Sequence, residues 1–300
     1  MSDVVQKRIV VVGSVNADVA LHVDRLPGPG ETVLANGMRV SGGGKGGNQA
    51  VAAGHLAGNI ALVARIGSDQ YGEMLRKNFV KANLDLASFS VDPDAPTGQA
   101  YIGVSETGEN NIIVVPGANG TLTAAVLDEA IDRIRGAAFV STQLEIPLAT
   151  VEHLAVICQQ EGVPFVLNPS PVQPLSAELL SKVSLLVLNE HELALLGGDG
   201  DEAQKLANLT ALGIRDIVLT KGGEGAVHYA AGQLARYPAQ RVEVVDTTGA
   251  GDTFTGALLV GLAEGKTYAA AIDFAQRAAA IQVTRHGAQD AVPSRDEVGR

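Results

Sequence analysis

The chain has 300 residues, 46% of them hydrophobic and 18% charged, with 35 glycines and no tryptophan. This composition suits a compact α/β enzyme and excludes a disordered or fibrous chain. The net charge of −11, with no dense run of Lys and Arg, argues against nucleic acid as a partner. Cys158 is the only cysteine, so no intramolecular disulfide can form, and its apolar setting LAVICQQ predicts a buried packing residue in a reducing compartment. The start MSDVVQKRIVVVG lacks the pattern of a secretory leader, and no apolar run approaches the roughly 18–20 residues of a membrane helix. The expected location is cytoplasmic, without a membrane partner.

RIVVVG (8–13) is valine-rich, ends in glycine and predicts a buried strand. VALHV (19–23) and ETVLA (31–35) alternate and are separated by Pro and Gly, which predicts a hairpin-like pair. After a glycine cluster, NQAVAAGHLAG (48–58) predicts a helix, IALVARIG (60–67) a strand and YGEMLRKNFVKAN (71–83) an amphipathic helix. QAYIGV (99–104) and NIIVVPG (111–117) predict two more strands joined by the polar turn ETGEN. Further strands are predicted at 137–141, 164–168, 184–189 and 215–220, and helices at 123–135, 148–161, 201–212, 250–264 and 267–284. Alternating strands and helices predict a mainly parallel sheet covered on both faces, one domain over 1–300. The strands at 19–23, 31–35, 99–104 and 111–117 break the alternation. They predict a small separate sheet, a lid drawn from segments near 17–38 and 98–117.

Two glycine patterns resemble phosphate-binding motifs without their context. Gly42 to Gly47 satisfies G-x-G-x-x-G, but a dinucleotide site needs it directly after the first strand, and here a predicted hairpin intervenes. GLAEGKT (261–267) has three residues between its glycines where a P-loop needs four, so it reads as one helix end and the next helix start. The six histidines show no metal-ligand spacing, and no G-x-S-x-G occurs.

In a parallel α/β sheet, ligands bind beyond the carboxyl ends of the strands. Asn16 and Asp18 follow the first strand. An amide and a carboxylate together suit neighbouring hydroxyls of a sugar, although an Asx turn explains them equally. Lys45 and Asn48 flank the glycine cluster, Glu145 follows the strand at 137–141, Asn189 and Glu192 follow 184–188, and TKGGEG (220–225) follows 215–220. Any one could be a turn or cap residue; together they converge on one sheet end. DTTGAGDTF (246–254) supplies the chemistry. Its glycines allow a turn that opens a helix near residue 250, whose N–H groups and partial positive charge suit a phosphoryl group in transfer. Asp252, in the first turn, either complements the helix dipole or serves as general base.

From GSVNAD through PGETV and GGKGGNQAVAAG to DTTGAGDTF and VTRHGAQ, essentially the whole chain resembles the ribokinase family of carbohydrate kinases. The resemblance implies a three-layer α/β/α fold with a small β-sheet lid, and phosphoryl transfer from ATP to a sugar hydroxyl, O5 where the sugar is ribose. It implies sugar contacts at Asn16, Asp18, Gly43, Gly44, Lys45, Asn48, Glu145 and Asp252. Asp252 is then the base, and the backbone of Gly249, Ala250 and Gly251 the anion hole. Nucleotide contacts fall on Asn189, Thr220, Gly222, Gly225 and Gly251, with Glu192 organising magnesium through water. An activating potassium ion is implied at Asp246, Thr248, Gln282, Arg285, Gly287 and Ala291, mostly through backbone carbonyls; the last position is often a serine, and here it has no hydroxyl. A homodimer paired through the lid is implied as well. Kinases for deoxyribose, fructose or adenosine stay open as alternatives, and so does a non-catalytic sugar-binding regulator. Asn16 and Asp18 favour a polyhydroxylated pentose, and the shortage of aromatic residues speaks against a nucleoside.

Overall fold

A computed structural model describes residues 7–56 and 59–299. The first six residues and the predicted helix end at 57–58 lie outside the described residues. β1 (Ile9–Val12) divides its side chains between two cores: Ile9 and Val11 enter one, Val10 and Val12 the other. An unbroken valine run is what burial on both faces requires. From β1 the chain leaves for β2 (Asn16–Val23) and β3 (Gly37–Gly43), returns as β4 (Ile60–Gly67) and β5 (Phe89–Asp92), and leaves again for β6 (Gly98–Ser105) and β7 (Asn110–Val115). β8 (Phe139–Thr142), β9 (Phe165–Leu167), β10 (Leu185–Asn189) and β11 (Asp216–Thr220) extend the other side of β1, and β12 (Ala226–Ala230) and β13 (Gln233–Tyr237) finish it. The nine-stranded order is β13-β12-β11-β10-β9-β8-β1-β4-β5, with only β12 and β13 antiparallel to their neighbours.

Helices cover both faces. α1 (Lys45–Leu56) and α2 (Gln70–Lys81) pack on the Ile9 face. α3 (Ala124–Asp128), α4 (Ile131–Ile134), α5 (Leu148–Gln160), α6 (Ala177–Leu180), α7 (Glu190–Leu196) and α8 (Glu202–Ala211) pack on the Val10 face. α9 (Ala250–Ala263), α10 (Tyr268–Gln282) and α11 (Arg295–Val298) return to the first. The predicted three-layer α/β/α architecture is therefore present. α1 and α9 cross closely: a Cβ at Gly256 would stand 2.7 Å from the Gln49 carbonyl oxygen and 2.9 Å from Ala52 Cβ. Cys158 is fully buried in α5, and burial pushes its thiol up to about 12, as expected of a packing residue. GLAEGKT is the end of α9 and the start of α10, capped by Thr267. Among the described residues no helix is long and apolar enough to cross a membrane.

The second sheet has the order β3-β2-β6-β7; β2 runs antiparallel to β3 but parallel to β6. Here the sequence expectation needs correcting. ETVLA (31–35) is not a strand, and Leu34 stands 87% exposed. The partner of β2 is instead Gly37–Gly43, in register from His22↔Gly37 to Asn16↔Gly43. Pairing along β2 overrides the poor strand propensity of the glycines. The helix predicted at 123–135 is broken into α3 and α4, with Ala130 leaving helical geometry between them. β5, β12, β13 and α7 were not foreseen; β13 is largely exposed and lacks the apolar run that marked the strands of the sheet interior.

Candidate active site

Three long helices start on a side-chain cap: Asp69 for α2, Asp201 for α8, Thr267 for α10. α9, like α5, does not. Its N-cap is Gly249 at φ +75°, a left-handed conformation that glycine adopts without strain, and no side chain takes up the free N–H groups. A Cβ there would also press on Ala288 Cα at 3.1 Å. Gly249, Ala250 and Gly251 line a cavity of about 250 Å³ together with Lys45, Asn168, Ser170, Asn189, Glu192, Thr220 and Asp252. An uncapped helix N-terminus opening on a polar cavity offers N–H groups and partial positive charge of the kind that suit an anion.

Asp252 sits one turn into α9 and is buried. Its two oxygens accept from two different amides: Oδ2 from Asn48 Nδ2 at 3.0 Å and Oδ1 from Gln49 Nε2 at 3.2 Å. The orientation of each amide is fixed from behind. Gln289 Nε2 donates to Asn48 Oδ1 at 3.1 Å, and Gln143 Nε2 and the Ser141 hydroxyl donate to Gln49 Oε1 at 2.6 and 3.2 Å. Burial pushes the Asp252 carboxyl above the ordinary range; Lys45 and the two amides pull against it, and Glu145 adds to it.

The other expected sugar contacts lie on neighbouring elements. Asn16 Oδ1 accepts from Asn119 Nδ2 at 2.7 Å, and Gly43 pairs with Asn16 across β2 and β3. Asp18 lies against Gly43, and its carboxyl is raised to about 7 by burial and by the charges of Glu145 and Asp252. Glu145 Oε2 accepts from the Lys45 N–H at 3.0 Å and from the Ser14 hydroxyl at 2.6 Å, so it also caps α1 from a distant strand end. Gly44, at φ +80°, turns the chain from β3 into α1.

At the other end of the cavity Asn189 and Glu192 form a capping box at the start of α7: Asn189 Oδ1 accepts from the Glu192 N–H and Glu192 Oε2 from the Asn189 N–H, both at 2.9 Å. Glu192 nevertheless lines the cavity, and Thr220 pairs with Asn189 beside it. A buried carboxylate with an oxygen to spare suits magnesium, which keeps most of its water and leans on few protein groups. Gly222 and Gly225 are not on this lining. Gly225 has its own structural reason, since a Cβ would stand 2.0 Å from the Tyr237 carbonyl oxygen.

Several positions expected to hold potassium come together, but many of their donors already have partners. Asp246 accepts from the N–H groups of Thr248 and Gly287, both at 2.9 Å, and is absent from the cavity lining. Burial works against its ionisation, yet hydrogen bonds from Thr248 and Gly287 hold it below the ordinary carboxylate range. The buried Gln282 side chain donates Nε2 to the carbonyls of Thr248 at 3.0 Å, Gly287 at 3.3 Å and Ala288 at 2.8 Å. Its backbone carbonyl already accepts from the Arg285 N–H at 3.0 Å, and Ala291 offers no hydroxyl. This donor set does not fit a bound cation.

Gln49, Gln289, Asn119 and Asn168 carry much of the polar network and were not foreseen. Gln49 had a signal, a second polar residue directly before the apolar run AVAAG. Gln289 and Asn119 had none, because only tertiary contact reveals their partners. Among the described residues no group of three or more His, Cys, Asp or Glu could hold a metal ion by itself.

The profile of the "pfkB family carbohydrate kinase" group matches residues 6–295. The chain is 38% identical over 297 residues to a ribokinase of Haemophilus influenzae, with 97% of each chain covered. It is 39% identical over 294 residues to a ribokinase of Bacillus subtilis, covering 97% of this chain and 98% of the other. An Arabidopsis thaliana ribokinase solved in complex with ribose and ATP superposes with a TM-score of 0.92 at 33% identity, with 97% of each chain covered.

Proposed function

Because the chain belongs to the pfkB family of carbohydrate kinases, we propose that it transfers the γ-phosphoryl group of ATP to O5 of D-ribose, with Asp252 as base. One observation carries the reading: a buried acid, both oxygens held by oriented amides, stands one turn inside an uncapped helix N-terminus that opens on a polar cavity. Sugar hydroxyls are read by Asn16, Asp18, Lys45, Asn48 and Glu145. The sugar O5–H proton passes to the Asp252 carboxylate as O5 bonds to phosphorus and the bond to the ADP oxygen breaks. The N–H groups of Gly249 and Gly251 and the positive end of α9 stabilise the charge on the moving phosphoryl group, while the Ala250 N–H holds the turn through the Thr247 carbonyl at 3.2 Å. Magnesium, which ATP-using members of this family require, neutralises phosphate charge when bound, and Glu192 with Asn189 would hold its water shell. Asn189, Thr220 and Gly251 flank the nucleotide, with Gly222 and Gly225 shaping the loop beyond.

The four-stranded sheet closes over the sugar as a lid within a single 1–300 kinase domain. Its edge strand β7 exposes Ile112, Ile113, Val114 and Val115, an apolar edge suited to pairing with a second copy. No step of this reaction is routed through potassium, since Gln282 Nε2 already donates to two of the expected carbonyls, those of Thr248 and Gly287. The test is a coupled ATP-consumption assay over pentoses, hexoses and nucleosides. Ribose should give the highest kcat/KM; a nucleoside or hexose leading by an order of magnitude would replace ribose as substrate.

A further inference from the structure

The carbonyls of Thr248, Gly287 and Ala288 come from two separate segments and point at one atom, Gln282 Nε2. Convergent carbonyls repel one another unless something positive sits among them, and an amide NH₂ supplies two partially positive hydrogens. The amide cannot be turned around. Its Oε1 accepts from the Thr253 hydroxyl at 2.8 Å, and the opposite orientation would set oxygen against three carbonyls. Nε2 also lies 3.2 Å from where a Cβ on Gly249 would stand, so the amide underlies the turn that opens α9. Thr253 ties the same side chain to the first turn of that helix.

We infer that the Gln282 side-chain amide is a built-in substitute for a monovalent cation, a positioning residue that cross-links the 246–249 turn to the 287–288 loop and makes the enzyme independent of potassium. The role rests on the phosphotransfer proposed above, but the binding of the ring to a cation can be read without turnover. Melting temperature and initial rate are measured in potassium, sodium and tetramethylammonium chloride at one ionic strength, with magnesium fixed. The wild type should melt at the same temperature and turn over at the same rate in all three salts, because no ligand is taken up on folding. Gln282→Ala leaves three unpaired carbonyls around a space. In tetramethylammonium it should lose about tenfold or more in kcat with KM for ATP nearly unchanged, as the turn loses its position. Potassium should raise both its melting temperature and its rate. Gln282→Met fills the space without donors or room for an ion, and should be impaired without rescue by any salt. A wild type that potassium stabilises and activates over tetramethylammonium overturns the inference, and so does a Gln282→Ala variant indifferent to potassium. If no sugar is phosphorylated at all, the melting series still decides the cation question, and the failure belongs to the proposed substrate.

Discussion

Replacing Asp252 by asparagine tests the proposed chemistry most directly. The substitution preserves shape and removes the proton acceptor. Both oxygens of Asp252 receive an amide N–H, from Asn48 and from Gln49. Whichever way the new amide turns, its NH₂ faces one of those donors, and one buried hydrogen bond becomes a donor-to-donor contact costing about 1–3 kcal/mol. Relief works in the other direction, since burial already disfavours the charged carboxylate. Asp252→Asn should therefore fold with a modest change in melting temperature. Turnover should fall by at least ~10²-fold, the low end for a lost general base and about 2.7 kcal/mol of barrier. Steady-state ADP release with ribose measures it, with calorimetric ADP binding as the control for an intact nucleotide end. In the wild type kcat should decline on acidification through a pKa above the ordinary carboxylate range, and the residual activity of the variant should lose that limb. A folded variant that binds ADP and keeps near-normal kcat refutes the base assignment.

Asn16→Ala should weaken ribose binding by about tenfold, one good hydrogen bond, and leave ATP affinity unchanged; isothermal titration with each ligand checks this, and the reverse pattern removes Asn16 from the sugar pocket. Asp18 is raised to about 7 in the folded chain, so between 3.8 and 7 the folded state holds a proton that the unfolded chain releases. Its contribution to stability is full below the unfolded value and is lost as pH rises through the folded one. Melting curves should therefore drop more steeply between about pH 4 and about pH 7 for the wild type than for Asp18→Asn; parallel profiles would show that Asp18 titrates normally.

The parts of the fold that were legible in the sequence are those where one local pattern meets one environment. RIVVVG has no polar face, so it had to be a central strand, and the regular alternation after residue 137 had to give parallel units. DTTGAGDTF was legible as a helix start because glycine and acid have few other reasons to be so spaced. Illegible features depend on partners far along the chain. Gly37–Gly43 becomes a strand only because β2 lies beside it, and ETVLA remains coil because nothing does. The Asn189-x-x-Glu192 spacing forms a helix cap and also lines the cavity, and the sequence offered no way to see that both hold. The ring at Gln282 shows the opposite limit: resemblance pointed to its backbone carbonyl, whereas its side-chain amide is what meets the carbonyls of Thr248, Gly287 and Ala288.

The crossing of α1 and α9 at Gly256 gives the site a fixed caliper. Asn48 and Gln49 ride on one jaw and Asp252 on the other, and with no side chain on Gly256 the α9 backbone closes directly on the Gln49 carbonyl and Ala52 Cβ. A methyl group at position 256 would act as a wedge, parting acid and amides together and altering reactivity without touching the cavity wall. On the proposed function, tailoring this enzyme to a larger or smaller sugar therefore belongs to β2, which carries Asn16 and Asp18 and lies outside this helix crossing.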